Sequence, residues 1–256
     1  MLGIVNVTAD SFSDGGNFLD PTRAIAHGVK LAGDGAAMVD VGGESTRPGA
    51  AAVPLEQEIS RVVPVVAGLA REGVAVSVDT MKPEVMRAAI DAGAAAINDV
   101  NAFRAPGTVE AVKGSDVGLV VMHMQGTPET MQKQPRYADV VAEVAEFLLA
   151  RARALEEAGV ARGRIVLDPG FGFGKDIEHN RSLFRGLGRI AALGYPVLAG
   201  VSRKRMIGEF TGREVGERMA GSVAAALLAV QNGARLVRVH DVRETVDALK
   251  VLMELG

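Results

Sequence analysis

The sequence predicts an α/β protein of one domain, folded as a (β/α)8 barrel. Short apolar runs alternate with longer amphipathic segments from one end of the 256 residues to the other, and there are eight such runs. No Pro/Gly/Ser-rich linker or shift of composition divides them, so the whole chain, 1–256, reads as one unit. Eight strands, each followed by a helix or a long loop, in this length is the TIM-barrel pattern. An open, doubly wound sheet is the structural alternative.

The predicted strands are 2–7, 36–41, 74–79, 95–99, 117–122, 164–168, 196–201 and 235–239. They are rich in Val, Ile and Leu and mostly lack polar alternation, as parallel strands covered on both faces do. Between them, 22–33, 55–71, 83–92, 137–158 and 216–232 read as amphipathic helices. Gly33, Gly73, Gly93, Gly159 and Gly233 stand where such helices end.

Composition narrows the chemistry. With no Cys there is no disulfide framework, thiolate metal site or cysteine nucleophile. A formal net charge of -3 argues against a protein that wraps phosphate backbones, so nucleic acid is not an expected partner. The first residues lack the basic start of a signal peptide, and the most apolar helical stretch, 219–230, falls short of the roughly 20 residues needed to span a bilayer. A soluble, cytoplasmic protein with no membrane partner is expected.

Polar residues gather at one place in each unit. Asn6, Asp40, Asp79, Asn98 with Asp99, His123, Asp168, Ser202 and His240 all fall at or just past the C-terminal end of a predicted strand. Any one of them reads equally well as a helix N-cap. Together they mark the face on which a barrel of this kind carries its chemistry.

Five segments are informative beyond that. The loops NVTADSFSDGG (6–16) and GGESTRPG (42–49) are long, small and polar; they read as solvated connections or as mobile lids, and Asp10 and Arg47 could pair on closure. DPGFGFGK (168–175) misses both the phosphate-loop and the dinucleotide spacings, which leaves a glycine-rich loop on which a flat ligand could lie against Phe173. SRKR (202–205) can begin a helix at Ser202; three basic residues in a first turn oppose the macrodipole, a cost that a bound carboxylate or phosphate would remove. In RVHD (238–241), period-two alternation puts Arg238 and His240 on one side, and a buried Arg there needs an anionic partner, such as phosphate or pyrophosphate.

Of the four His, His27 and His179 read as solvated, and His123 as functional or merely packed. No histidine pair has a metal-ligand spacing, so a protein-built zinc site is not expected; a hard cation held partly by substrate phosphates is compatible.

Taken in order, NVTADSFSDGG, GGESTRPG, SVDT (77–80), INDV (97–100), MHMQG (122–126), DPGFGFGK, SRK and RVHD resemble the dihydropteroate synthase family of bacterial folate synthesis, over essentially the whole chain. The resemblance implies a transferase that condenses 6-hydroxymethyl-7,8-dihydropterin diphosphate with p-aminobenzoate, with Mg²⁺, giving 7,8-dihydropteroate and pyrophosphate. By that resemblance Asp168, Asn98 and Asp79 hold the pterin's polar edge, Lys204 donates to its ring acceptors, and Met122, Phe173 and Gly200 line its faces. Asn6, Arg238 and His240 take pyrophosphate, and Asn6 is the metal contact. Ser202 receives the p-aminobenzoate carboxylate beneath Thr46, Arg47 and Pro48. Asp10, Phe12 and Arg47 close the loops. Asp79, Lys204, Arg238 and His240 form the catalytic set, and Asp79 stabilises the cation left when pyrophosphate departs.

The resemblance also implies a homodimer. Two departures stand out: Ala9 replaces a usual Pro, and the chain starts almost at its first strand, so a segment that members place beneath the barrel is expected to be missing. The alternatives are a methyltransferase using methyltetrahydrofolate and a barrel that binds pterin without turnover.

Overall fold

A computed structural model describes residues 1–8, 20–47 and 49–256. Its strands are β1 (Leu2–Asn6), β2 (Met38–Gly42), β3 (Val76–Asp79), β4 (Ala96–Asp99), β5 (Gly118–Met122), β6 (Ile165–Asp168), β7 (Leu198–Ala199) and β8 (Leu236–Val239). Every strand pairing is parallel, in the order β6-β5-β4-β3-β2-β1-β8-β7. A parallel bridge from Leu167 to Val197 closes the ring, with Leu167 N donating to Pro196 O at 2.9 Å. The expected (β/α)8 barrel is therefore the fold, and the open sheet is not.

The helices are α1 (Pro21–Gly33), α2 (Leu55–Arg71), α3 (Pro83–Asp91), α4 (Thr108–Val112), α5 (Val140–Glu157), α6 (Ile177–Arg185), α7 (Leu187–Ala191), α8 (Arg205–Thr211), α9 (Met219–Gln231) and α10 (Val242–Leu255). None is long and apolar enough to cross a membrane, among the described residues. Strand and helix ends shift by a residue or two in most elements, and three elements depart further from the predicted ones. The seventh strand shortens from 196–201 to two residues, because Gly200 and Val201 already turn into the following loop. The helix expected over 137–158 starts at Val140, since the Asp139 side chain accepts the N–H groups of Val141 and Ala142 and caps it there. The one expected over 216–232 divides into a 3-10 turn, Val215–Glu217, and α9. Gly73, Gly93, Gly159 and Gly233 take the left-handed conformation just past their helices; at α1 that role falls to Gly35, and Gly33 stays helical.

Strand phase decides what each residue does. Val5, Val39, Val41, Val76, Val78, Ile97, Leu119, Val121, Ile165, Leu167, Val237 and Val239 belong to the large core between barrel and helices. The alternate phase faces inward. Leu2, Val120 and Leu198, with Met38, Val166 and Leu236, fill the barrel's lower interior. One or two steps further along those strands, in the same phase, stand Asn6, Asp40, Met122, Asp168, Gly200 and Arg238, joined at the same level by Asp79 of β3 and Asn98 of β4. An apolar floor thus carries a polar layer at the C-terminal ends. Asp99, in the opposite phase to Asn98, accepts the N–H groups of Asn101 and Phe103 at 2.7 Å each and organises the following loop.

Candidate active site

A cavity of about 910 Å³ opens at the C-terminal ends of the strands. Asn6, Thr46, Arg47, Asp79, Asn98, Met122, Asp168, Phe173, Gly200, Ser202, Lys204, Arg238 and His240, all predicted site residues, line it together. The remaining three, Asp10, Phe12 and Pro48, lie outside the described residues.

Its floor is an ion network. Arg238 donates through Nε to Asp40 Oδ2 at 2.5 Å and through a terminal nitrogen to Asp79 Oδ2 at 3.4 Å. Asn98 Nδ2 donates to the same Asp40 oxygen at 3.2 Å. The anionic partner that Arg238 was expected to find in a ligand is therefore supplied first by the chain, from β2 and β3. Burial raises the Asp79 pKa to about 7; Arg238 opposes that shift, while Asp40, Asp99 and Glu58 reinforce it. Asp79 Oδ1 and Asn98 Oδ1 are buried and have no hydrogen-bond partner among the described residues. Both are acceptors on cavity-lining residues, so they suit a ligand rich in N–H donors.

Across the cavity, Asp168 ends β6, and burial raises its pKa against the pull of Lys204, Lys175 and Arg238. One of its oxygens accepts Gly170 N–H at 2.7 Å, so the carboxylate both shapes the glycine-rich loop and faces the cavity. That loop passes close to β5: a Cβ on Gly170, whose φ is +67°, would come within 1.9 Å of His123 O. Only Gly fits there. Lys175 fastens the loop from beneath, donating to Gly170 O at 2.9 Å and Phe173 O at 3.0 Å, with Nζ 2.9 Å from His123 Nδ1. Burial and the nearby Lys175 push the His123 pKa down to about 2, so this ring is a neutral packing partner, edge-on to Phe147.

Lys204 Nζ donates to Phe171 O at 2.5 Å and lies 4.7 Å from the centre of the Phe173 ring. Burial lowers its pKa to about 8, with Asp168 resisting. Met122, Val100, Met124 and Met131 pack with Met81 and Phe173 into an apolar wall beside it. A flat ring system fits between such polarisable side chains.

The stretch after β7 departs from its expected geometry. α8 begins at Arg205, not at Ser202, so the serine does not cap it. Ser202 Oγ instead accepts His240 N–H at 3.2 Å and sits 3.0 Å from His240 Nδ1. Nor do the basic residues wait for a ligand: Arg203 pairs with both oxygens of Asp241, and Arg205 with Glu209. His240 is neutral, because burial and then Arg238, Arg203, Arg47 and Lys204 push its pKa to about 3. It is therefore a hydrogen-bonding group.

Among the described residues no three His, Asp or Glu side chains converge on a metal site. Asn6 places one amide at the end of β1, against the cavity. That donor set fits a hard cation carried in on phosphate oxygens, which takes only one or two oxygens from the protein.

Asp40 and Lys175 are the residues that sequence reasoning left without a role. Asp40 was visible as a polar residue at a strand end, and its inward phase was the unused signal. Lys175 carried none, since an isolated Lys after glycines reads as exposed.

A family profile described as pterin binding enzyme matches residues 2–240. The curated dihydropteroate synthase of Neisseria meningitidis serogroup C is 51% identical over 261 residues, covering 100% of this chain and 92% of the relative. Among solved structures, Xanthomonas albilineans dihydropteroate synthase with 4-aminobenzoic acid superposes with a TM-score of 0.93 at 56% identity, over 99% of this chain and 92% of that one. The same organism's dihydropteroate synthase in complex with 7,8-dihydropteroate gives 0.89 at 52% identity, with the same coverage.

Proposed function

The chain belongs to the pterin-binding enzymes and, within them, to the dihydropteroate synthases, and on that premise we propose how its residues divide the work of a dissociative displacement. The diphosphate's C–O bond breaks first and leaves a pterin methylene cation; the aniline nitrogen of p-aminobenzoate then attacks that carbon and loses a proton.

Asp168 accepts two N–H donors from the pterin's guanidine-like edge, a charge-assisted bidentate contact. Asn98 and Asp79 offer their unpartnered oxygens to further ring donors, and Lys204 donates to ring acceptors over Phe173. Met122 and Gly200 bound the ring's faces. Asn6, Arg238 and neutral His240 hold the leaving pyrophosphate. Asp79, one arm of the Arg238 network, faces the developing cation as an anion. Asn6, together with substrate oxygens, would hold Mg²⁺, which would supply charge neutralisation at the leaving group. Ser202 takes the p-aminobenzoate carboxylate, with Thr46 and Arg47 over the ring.

The observation that carries this reading is the single cavity in which Asp168, Asp79 and Arg238 face one another. It also favours displacement over methyl transfer, which has no leaving pyrophosphate for Arg238 to hold. The test is positional isotope exchange. With 18O in the bridging position of the pterin diphosphate and no p-aminobenzoate present, label is expected to scramble into non-bridging positions. Absence of scrambling, with enzyme that turns over fully once p-aminobenzoate is added, counts against the dissociative route.

The pH dependence follows from Asp79. Its anion is the active form, and its pKa is raised to about 7, so kcat/KM for the pterin diphosphate is expected to rise with pH through that value. In Asp79→Asn the limb disappears along with most of the rate. A wild-type profile flat from pH 5.5 to about 8.5 contradicts the assignment.

A homodimer is part of the same reading. α9 offers a face for it, with Leu228 exposed in a surface hollow it shares with Phe210 of α8, and Met219 exposed at its start.

A further inference from the structure

The second βα loop is closed at its base by a cation that no other role requires. Lys82, just before α3, spends its three N–H bonds on Glu44 Oε2 at 2.5 Å, Glu58 Oε2 at 2.5 Å and Val53 O at 2.7 Å. Glu44 and Val53 are the two sides of one stem, for Val53 N–H also donates to Glu44 Oε2 at 2.9 Å. The stem is tied to α2 as well. Glu58 is buried and receives Thr80 Oγ1 at 2.6 Å, and Arg61 donates to Gly43 O at 2.9 Å.

Between the two sides of the stem run residues 45–52, which include Thr46 and Arg47 at the cavity. Two carboxylates around one ammonium form a costly way to hold a loop, since apolar packing would do so with less desolvation. What such a cluster adds is direction: three fixed donor–acceptor lines set the angle at which the loop leaves the barrel.

We propose that Lys82 and Glu44 are positioning residues for the second substrate: they lock the stem of this loop and thereby set the affinity for p-aminobenzoate, Glu44 from the cavity's lining and Lys82 from behind it. The proposal rests on the reading above that Thr46 and Arg47 cover that substrate. A stem that opens leaves only a fraction of molecules competent to bind, and apparent affinity falls by that fraction.

The test is a kinetic split in full-length protein. In Glu44→Ala and in Lys82→Met, KM for p-aminobenzoate is expected to rise about tenfold or more, with kcat and KM for the pterin diphosphate within about twofold of the parent. Lys82→Arg, which keeps the charge and the donors, is expected to restore most of the affinity. Should Lys82→Met fail to fold, Glu44→Ala still decides, because it leaves the Lys82–Glu58 pair intact. An unchanged KM for p-aminobenzoate in Glu44→Ala, or equal rises for both substrates, overturns the proposal. Arg47→Ala separates it from its premise: if that variant also leaves p-aminobenzoate unaffected, the placement of the loop over this substrate is what fails.

Discussion

Asp168→Asn is expected to lower kcat/KM for the pterin diphosphate by about 10³, with little change in Tm. The size comes from three terms acting together. Two charge-assisted hydrogen bonds lose their charge, each worth about 1.5–3 kcal/mol. One of them also reverses, since an amide turns an N–H₂ toward a ligand edge that is itself a row of donors. A site built around a hydrogen-bonding edge rejects the mismatched partner far more strongly than an apolar pocket rejects a missing methylene. Stability moves little because Asn keeps the oxygen that accepts Gly170 N–H, and because burial already works against the Asp168 charge. Calorimetric titration with the pterin diphosphate, beside steady-state rates and a melting curve, measures all three quantities. A loss under about tenfold would mean that Asp168 serves the glycine-rich loop and not the ring.

What the sequence made legible, and what it hid, both follow from the strand phase. Asn6, Asp79, Asn98, Asp168 and Arg238 interrupt Val- and Ile-rich runs at their C-terminal ends, and a parallel barrel brings those ends to one face whatever the loops do. Position in the run therefore located the cavity. Partnership within it was not readable in the same way. Asp40 and Arg238 stand 198 residues apart and meet across the barrel floor, a contact that no local pattern encodes. The neutrality of His240 has the same origin, since it depends on burial and on cations from its own strand and from two other loops. Ser202 followed by basic residues is a fair helix start by propensity, yet the strained turn at Arg203, with φ +56°, and its pairing with Asp241 delay α8 to Arg205. The stem formed by Glu44, Val53, Glu58 and Lys82 draws on three separate segments and could be seen only once they were folded together.

Arg238→Ala is expected to fail twice, and the two failures can be measured apart. Loss of one preorganised electrostatic donor at a leaving group lowers kcat by about 10²–10³. The second effect is on the fold. Arg238 is the partner of Asp40, which is 0% exposed, and truncating the arginine strands that carboxylate in the barrel floor beside Asp79. Breaking a buried pair from one side typically costs about 3–5 kcal/mol. Tm should therefore drop by many degrees, and kcat should be taken at a temperature where the variant is folded. The double variant Arg238→Met with Asp40→Asn separates the terms: with no stranded charge it is expected to regain most of the lost stability while its turnover stays low. Asp14→Ala, in the first loop, supplies the comparison for turnover and should lose much less. If the double variant recovers rate together with Tm, or if Arg238→Ala and Asp14→Ala turn over equally, Arg238 is a structural counterion and the pyrophosphate must be drawn away by other groups.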